Sequence, residues 1–416
     1  MDRSGFLTIK DKTDARGIFK ITLIVFCMLS ILGAIPYLTS GAVNNAADAL
    51  FESVSGFTTT GATCISNDTM LPAWLLVFRS FTEWFGGALV LIFLASLLKS
   101  FDSDSSISND GSTAQLYRSG IRFYNIAMRL LTTYGAMTVL CFLLLLASGL
   151  TPLGALIYAL SVVSTGGRGA GEAFELTMSN GTETVILVFM IFTCINYTVY
   201  YHIIKKHFDR ITKSTEFFAY LFFLVVGSIA VVVSLIANGT YSLQEAVHFG
   251  IFETVSHTTT TGIHIASLSN WPSFTRFLLT LLTYTGGCTA SLGGGLKVMR
   301  IVILGKLIAR SFIYRIHPNA VVAIKMNGKP VSDAVQKSVI SHFLTMCAFF
   351  IGGAFLISFD APSIEETLHI TSYLVNNAGG GLIAGYSAFT KIVMCILMLA
   401  GRLEFYAILI PFTKES

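Results

Sequence analysis

Phe51-Glu52-Ser53-Val54-Ser55, followed by Thr58-Thr59-Thr60-Gly61, returns later as Phe252-Glu253-Thr254-Val255-Ser256 followed by Thr259-Thr260-Thr261-Gly262. The offset is constant across the whole stretch, and a gapless match of this kind marks an internal duplication. Two looser copies exist, Val163-Ser164-Thr165-Gly166-Gly167 and Asn376-Asn377-Ala378-Gly379-Gly380-Gly381. Aligning Gly61, Gly166, Gly262 and Gly379 divides the chain into four units of comparable length.

Each copy follows a moderately apolar stretch too short to cross a bilayer, at 44–57, 152–163, 242–256 and 363–375. Segments of that length read as re-entrant or interfacial helices. They lie between eight longer apolar stretches, roughly 18–38, 72–98, 125–148, 182–203, 216–237, 272–312, 334–357 and 389–412, each long enough to span. The expected fold is an all-α polytopic membrane protein. Four tandem helix–pore-loop–helix repeats surround a pseudo-fourfold axis. The expected divisions are a cytoplasmic N-terminus at 1–17 and pore repeats at 18–98, 116–204, 214–313 and 334–412, the third with a broken second helix.

Composition agrees. The 416 residues are 53% hydrophobic and only 12% charged, where a soluble domain carries roughly 25% charged residues. So few charges cannot cover a soluble surface, and so much apolar surface excludes intrinsic disorder. The formal charge of +4 gives no reason to expect nucleic acid. Seven cysteines, with no C-x-x-C, suggest neither a disulfide framework nor a zinc site. Basic residues orient the chain. They fall near the N-terminus (Lys10, Lys12, Arg16, Lys20), then at Lys99, Arg118 and Arg122, Lys205 to Lys213, Arg300 to Lys337, and Lys414. The alternate connections 39–71, 149–181, 238–271 and 358–388 hold a single basic residue, Arg168. Both termini are expected in the cytoplasm.

Four Thr/Ser/Asn-Gly loops meeting on one axis can act on an ion. Glycine admits backbone conformations closed to other residues, so carbonyl oxygens can turn inward and replace a hydration shell. Hydroxyls at Thr58–Thr60, Ser164–Thr165 and Thr259–Thr261 are expected to add oxygen ligands. Hard oxygen donors suit alkali cations rather than transition metals.

These residues carry a resemblance. The run F-E-S-V-S-G-F-T-T-T-G-A-T at 51–63 and G-G-C-T-A-S-L-G-G-G-L-K-V-M-R at 286–300, with Asn376-Asn377-Ala378-Gly379 and Gly401-Arg402-Leu403-Glu404, resemble the Trk/Ktr potassium-uptake family. The likeness covers about 18 to 412. It implies potassium uptake in the cytoplasmic (inner) membrane, a homodimer with one pore per subunit, and a cytoplasmic ring of nucleotide-binding regulatory subunits. Nucleotide would thus act only through a partner, and no covalently bound cofactor is implied. It implies a filter at Thr59, Thr60, Gly61, Ser164, Thr165, Gly166, Thr260, Thr261, Gly262, Asn377, Ala378 and Gly379. K⁺ would sit at Thr60, Gly61, Thr165, Gly166, Thr261, Gly262, Ala378 and Gly379. In the family, glycine at the key position of all four loops goes with K⁺ preference; Gly61, Gly166, Gly262 and Gly379 are the expected set.

The sixth span is interrupted by glycines from Gly286 to Gly295, each costing about 1 kcal/mol against alanine in a helix. Unpaired backbone at membrane depth must face protein or a water-filled path. The segment is therefore expected to be a gate, involving Gly287, Ser291, Gly293, Gly294, Gly295 and Lys297, and the resemblance implies the same. Arg402 is the expected positive charge near it, with Glu404 pairing across helices. Lys297 faces the cavity, pairs or snorkels to the interface. Glu52 and Glu253 either concentrate cations at the outer mouth or brace the short helix. Arg168, also at the mouth, is expected to pair with Glu172 or Glu175. Arg79 and Arg276 read as interface anchors. His257 and His264 flank the third loop.

The leading function is K⁺ permeation, with no enzymatic activity, since no nucleophile–base pair or metal-ligand spacing occurs in the spans. A Na⁺-permeable conduit is the second reading. An ion-coupled transporter of an organic solute is the third; it would need broken helices in inverted pairs, whereas one broken span is expected here.

Overall fold

The computed structural model describes residues 15–65, 71–101, 123–167, 179–320, 322–379, 381–383 and 385–409. The helices are α1 (Ala15–Thr39), α2 (Ala46–Phe57), α3 (Ala73–Phe101), α4 (Phe123–Ala147), α5 (Pro152–Ser164), α6 (Asn180–Thr193), α7 (Tyr197–Ile204) and α8 (Phe208–Ile211). They continue with α9 (Thr215–Ala237), α10 (Leu243–Thr258), α11 (Ser273–Thr285), α12 (Val298–Ile316), α13 (Asp333–Ile357), α14 (Ile364–Asn376), α15 (Ala388–Arg402) and α16 (Tyr406–Leu409). A two-residue hairpin, β1 (Lys325–Met326) with β2 (Lys329–Pro330), turns at Asn327-Gly328, both at positive φ as such a turn requires.

Helix starts follow local chemistry. Ser214, Ser332, Ser363 and Ser387 each accept a hydrogen bond from a first-turn N–H of the helix that follows. Thr151 does the same for α5, with Pro152 at the first helical position. Ser242 and Glu245 form a reciprocal capping box on α10. These satisfy donors that would otherwise be orphaned at the helix ends.

α1, α3, α4, α9 and α13 are long and apolar enough to cross a membrane unbroken. Their outer faces stay apolar: α1 exposes Ile21, Ile24, Met28 and Ile31, and α9 exposes Phe218, Phe222, Val225 and Ile229. An uncharged, exposed stripe of this kind is a lipid face.

The other three expected spans are interrupted, not one. The 272–312 stretch divides into α11 and α12 around the glycine loop. The 182–203 stretch divides into α6 and α7 at Cys194-Ile195-Asn196. There Asn196 Oδ1 accepts from Thr198 N at 3.0 Å and from Thr198 Oγ1 at 2.7 Å, capping the second half. The 389–412 stretch turns after Arg402, where Glu404 and Phe405 both take positive φ. The first site carries no Gly or Pro and the second only Gly401, still inside the helix, so periodicity alone reads through them.

The short helices α2, α5, α10 and α14 form the inner ring. Each packs on the second span of the unit before it: α5 on α3, α10 on α6, α14 on α11, and α2 on α15. The last contact closes the circle. It is reinforced by Lys391 Nζ donating to Asp48 Oδ1 at 2.5 Å, from α15 to α2. The tandem repeats thus surround one pseudo-fourfold axis.

Candidate functional site

The four loops that leave the short helices share one backbone design. Thr59, Thr165, Thr260 and Asn377 take positive φ, between 50° and 59°. The next residue's N–H reaches back five positions to the helix: Thr60 to Ser55 O, Gly166 to Ser161 O, Thr261 to Ser256 O, and Ala378 to Tyr373 O, at 2.9–3.0 Å. Then comes a glycine at φ of 75° to 79°: Gly61, Gly167, Gly262 and Gly379. This shifts the register of the second unit by one residue. Gly167, not Gly166, is the counterpart of Gly61; Gly166 occupies the place of Thr60, Thr261 and Ala378. Two adjacent glycines hide the register in the sequence, and the hydrogen-bond pattern and the positive φ of Gly167 separate them.

The loops also converge. A Cβ on Gly167 would stand 1.9 Å from Thr261 O, and one on Gly262 would stand 2.8 Å from Gly379 Cα. Loops one and four are joined by Asn377 Nδ2 donating to Thr60 Oγ1 at 2.9 Å and by a parallel bridge of Thr63 with Leu382. Thr59 to Gly61, Thr165 to Gly167, Thr260 and Thr261, and Asn377 to Gly379 are buried, and Gly262 is half-buried. Yet among the described residues no hydrogen bond ends on any carbonyl from Thr59 to Gly61, Thr165 to Gly167, Thr260 to Gly262, or Asn377 to Gly379. Buried carbonyls are almost always paired, so four such runs in one place are free to serve a ligand. Four helix C-termini, each carrying roughly half a negative charge, end at the same point.

The hydroxyls behave differently from expectation. Thr58 Oγ1 donates to Val54 O at 2.7 Å and lies 2.8 Å from Thr60 Oγ1. Thr259 repeats this with Val255 O and Thr261 Oγ1, and Ser164 Oγ donates to Ser161 O. Those side chains brace their own helices, as a buried hydroxyl must when a carbonyl lies one turn back. Thr59 Oγ1 alone in this group is left without a hydrogen-bond partner.

The glycine segment is a closed loop directly against the second, third and fourth of these. Leu296 N donates to Tyr284 O and Val298 N to Gly287 O, so its ends meet. Gly294 N donates to Thr260 Oγ1 at 2.6 Å, and Thr165 Oγ1 donates to Leu292 O at 3.3 Å. Gly294 is required: a Cβ there would stand 1.8 Å from Asn376 O. The flank of the loop rests on the α6–α7 break, through Cys288 N to Cys194 O at 2.8 Å and Tyr197 N to Ala290 O at 3.2 Å.

Two buried cations grip three successive carbonyls of this loop. Lys297 Nζ donates to Ser291 O at 3.2 Å and to Gly293 O. Arg402 donates from one guanidinium nitrogen to Leu292 O at 2.8 Å. Lys297 is 8% exposed and Arg402 5%, so neither snorkels to the surface. Glu404 leaves the helix axis and accepts from Arg300, which also lies 3.1 Å from His342 Nε2. Gly287, Ser291, Gly293, Gly294, Gly295, Lys297 and Arg402 are thus one cluster.

The outer-mouth assignment of Glu52 and Glu253 gives way to bracing. Glu52 is 1% exposed and Glu253 0%. Glu52 Oε1 accepts from Thr63 Oγ1 at 2.6 Å and from Cys64 N at 2.5 Å. Glu253 Oε1 accepts from Ile265 N and Ala266 N. Each carboxylate ties down the chain leaving its loop, which a solvated mouth group could not do. Arg168, Glu172 and Glu175 lie outside the described residues. Arg79 is buried rather than an interface anchor, with a nitrogen 3.5 Å from Glu52 Oε2. Arg276 pairs with Glu365 at 3.0 Å.

Glu83 is a site residue missed by sequence reading. It is fully buried on α3, accepts from Ser161 Oγ at 2.6 Å, and lies where a Cβ on Gly166 would meet its Oε2 at 2.5 Å. The signal was available: an acidic residue inside an apolar span is rare without a function.

The fold and site have known counterparts. The chain is 29% identical to the Trk system potassium uptake protein TrkH of Halomonas elongata over 95% of its length and 84% of the relative's. It is also 29% identical to the TrkH of Escherichia coli K12, over 97% and 86%. The crystal structure of the potassium transporter TrkH from Vibrio parahaemolyticus superposes with a TM-score of 0.88 at 27% identity, covering 97% of this chain and 86% of that one. A family model described as a cation transport protein, TrkH, matches residues 6–416. Proteins of that kind are ion transporters and not enzymes. The chain belongs to the TrkH cation transport family.

Proposed function

We propose that this chain conducts K⁺ across the cytoplasmic membrane, chiefly inward, through a filter made by the loops ending at Gly61, Gly167, Gly262 and Gly379. The observation that carries the reading is the set of buried loop carbonyls that no donor among the described residues reaches. Such oxygens replace the water that a dehydrated alkali cation gives up, and the four converging helix C-termini favour positive charge. A negative-inside potential supplies about 2.3 kcal/mol per charge per 100 mV, so inward flux needs no chemical coupling. The 286–297 loop is the gate, held shut by Lys297 and Arg402.

The termini lie in the cytoplasm, as the asymmetry of Lys and Arg favours. Family membership supports a homodimer and a cytoplasmic ring of nucleotide-binding regulatory subunits acting on the gate. The breaks fall in second spans of parallel repeats, not in the inverted pairs of solute-coupled transporters.

The test is ⁸⁶Rb⁺ uptake into proteoliposomes, competed with K⁺ and Na⁺. K⁺ competes and Na⁺ does not; equal competition, or equal permeability in mixed-ion reversal potentials, selects the Na⁺-permeable conduit instead.

A further inference from the structure

Glu52 and Glu253 hold equivalent places in the first and third repeats but have different counter-charges. Glu52 has Arg79 at 3.5 Å. Pro72 with Pro272, and Gly86-Gly87 with Gly286-Gly287, align the two second spans and set Leu279 opposite Arg79. Among the described residues the carboxylate of Glu253 meets imidazoles instead of a permanent cation. His264 Nδ1 lies 2.7 Å from its Oε2, and His257 Nε2 lies 3.9 Å from the same oxygen. A fully buried carboxylate without a fixed counter-charge is costly.

The three ligand atoms all lie within 4.8 Å of one another. His257 and Glu253 are four residues apart on α10 and share a face; His264 returns to them after the third loop. His257 is 1% exposed, and its Nε2 makes no hydrogen bond. Its Nδ1 lies 3.2 Å from Tyr373 Oη and 3.5 Å from Thr283 Oγ1. With the Nδ1 proton engaged there, Nε2 presents its lone pair to Glu253. An outer hydrogen bond that fixes the tautomer is the usual support of a metal-bound histidine. Glu253 divides its labour, with Oε1 on the two loop N–H groups and Oε2 facing both rings.

We propose that Glu253, His257 and His264 bind one divalent transition-metal ion, of which Zn²⁺ is the representative, against the third filter loop. Two imidazoles and one carboxylate with a fourth position for water are a typical zinc donor set. Zinc bonds of about 2.0–2.1 Å place tetrahedral ligands about 3.3 Å apart. The His264–Glu253 pair opens slightly and the His257–Glu253 pair closes slightly to reach that spacing. Binding moves the His264 Nδ1 proton to its Nε2, on a side chain that is 35% exposed. The ion adds positive charge two residues from Gly262; the resulting slowing of permeation rests on the K⁺ path proposed above.

The test uses the purified full chain, stripped with chelator, and Zn²⁺ competed against a chromophoric chelator. One Zn²⁺ binds per chain, and His264→Ala weakens it at least about tenfold, the scale set even by loss of an outer-shell partner. His257→Gln does the same. His248→Ala, which removes the separate His248–Glu183 contact, leaves the affinity unchanged. His264 is partly exposed, so its variant keeps the test valid if His257→Gln misfolds. Unchanged affinity in folded His264→Ala, or loss of the zinc on His248→Ala instead, overturns the site. The binding readout is independent of transport. Rb⁺ flux unaffected by zinc in vesicles where zinc binds overturns the slowing of permeation.

Discussion

Arg402 gives the sharpest test of the gate. Its guanidinium donates to Leu292 O at 2.8 Å, buried within the cluster that also holds Lys297. Replacing Arg402 by Met keeps length and apolar volume but leaves that carbonyl without its charged donor while the loop is closed. A hydrogen bond to a charged group contributes about 1.5–3 kcal/mol, and without it Leu292 O keeps only the longer, neutral bond from Thr165 Oγ1 at 3.3 Å. The open form, where the carbonyl reaches water in the pore, does not bear that cost. At 1.36 kcal/mol per decade, the closed-to-open equilibrium moves by about 10- to 150-fold toward open. The assay is initial ⁸⁶Rb⁺ flux per monodisperse protein in proteoliposomes, without regulatory subunits. Flux rises by up to that factor if the wild-type loop is mostly closed. Flux at or below the wild-type level, in a variant with unaltered size-exclusion profile, would refute a latch and leave Arg402 a packing residue.

Shortening the loop by removing residues 288–291 raises basal flux for the same reason, and flat flux from folded protein assigns the loop to packing. Gly61→Ser lowers the K⁺ over Na⁺ preference by crowding the carbonyl run, read as a reversal-potential shift; an unchanged ratio counts against the filter. Gly167→Ala puts a Cβ 1.9 Å from Thr261 O on a residue at φ 78°, so selectivity or folded yield collapses, whereas a wild-type permeability ratio and yield would reject the corrected register. Glu52→Gln removes one partner of a buried pair, a change that costs about 3–5 kcal/mol; a clear drop in Tm checks it, and an unmoved Tm would mean that Arg79 is satisfied elsewhere.

What the sequence makes legible here follows from which physical terms are local. The short helices and their loops could be read because the duplicated F-E-x-V-S and T-T-T-G words persist at one spacing, and a repeat needs no knowledge of contacts. The five unbroken spans follow from apolar length alone. The breaks at Cys194–Asn196 and after Arg402 are invisible to that measure, since they are made by an Asn cap and by two residues of positive φ within apolar surroundings. The burial of Glu52 and Glu253 depends on donors eleven to thirteen residues further on, and the Lys391–Asp48 pair depends on closing a ring across the chain. Gly166 and Gly167 could not be told apart by type, only by which N–H returns to the helix and which residue takes positive φ.

That hydrogen-bond pattern also bears on how the pore works. The 286–297 loop, the proposed gate, does not hang free beneath the proposed filter; it is bonded to its loops. Thr260 uses its backbone to shape the third loop and its hydroxyl to accept from Gly294 N. Thr165 does likewise in the second loop, donating to Leu292 O. Leu292 O is also the oxygen held by Arg402. Withdrawing the loop therefore breaks the cation latch and both threonine bonds together, and it returns two hydroxyls to the inner end of the filter. Thr59, whose hydroxyl already lacks a partner at the same level of the first repeat, represents that released state. If the loop is the gate proposed above, opening adds oxygen ligands where the ion leaves the filter, so that a single movement would clear the path and solvate the ion stepping into it. A Thr260→Val exchange separates the two effects. It removes a gate bond, which raises flux, and it removes a released ligand, which weakens Rb⁺ retention at low concentration. Higher maximal flux with a higher KM for Rb⁺ is the expected pair of changes, and a rise in flux with an unmoved KM would show that the hydroxyl serves the latch alone.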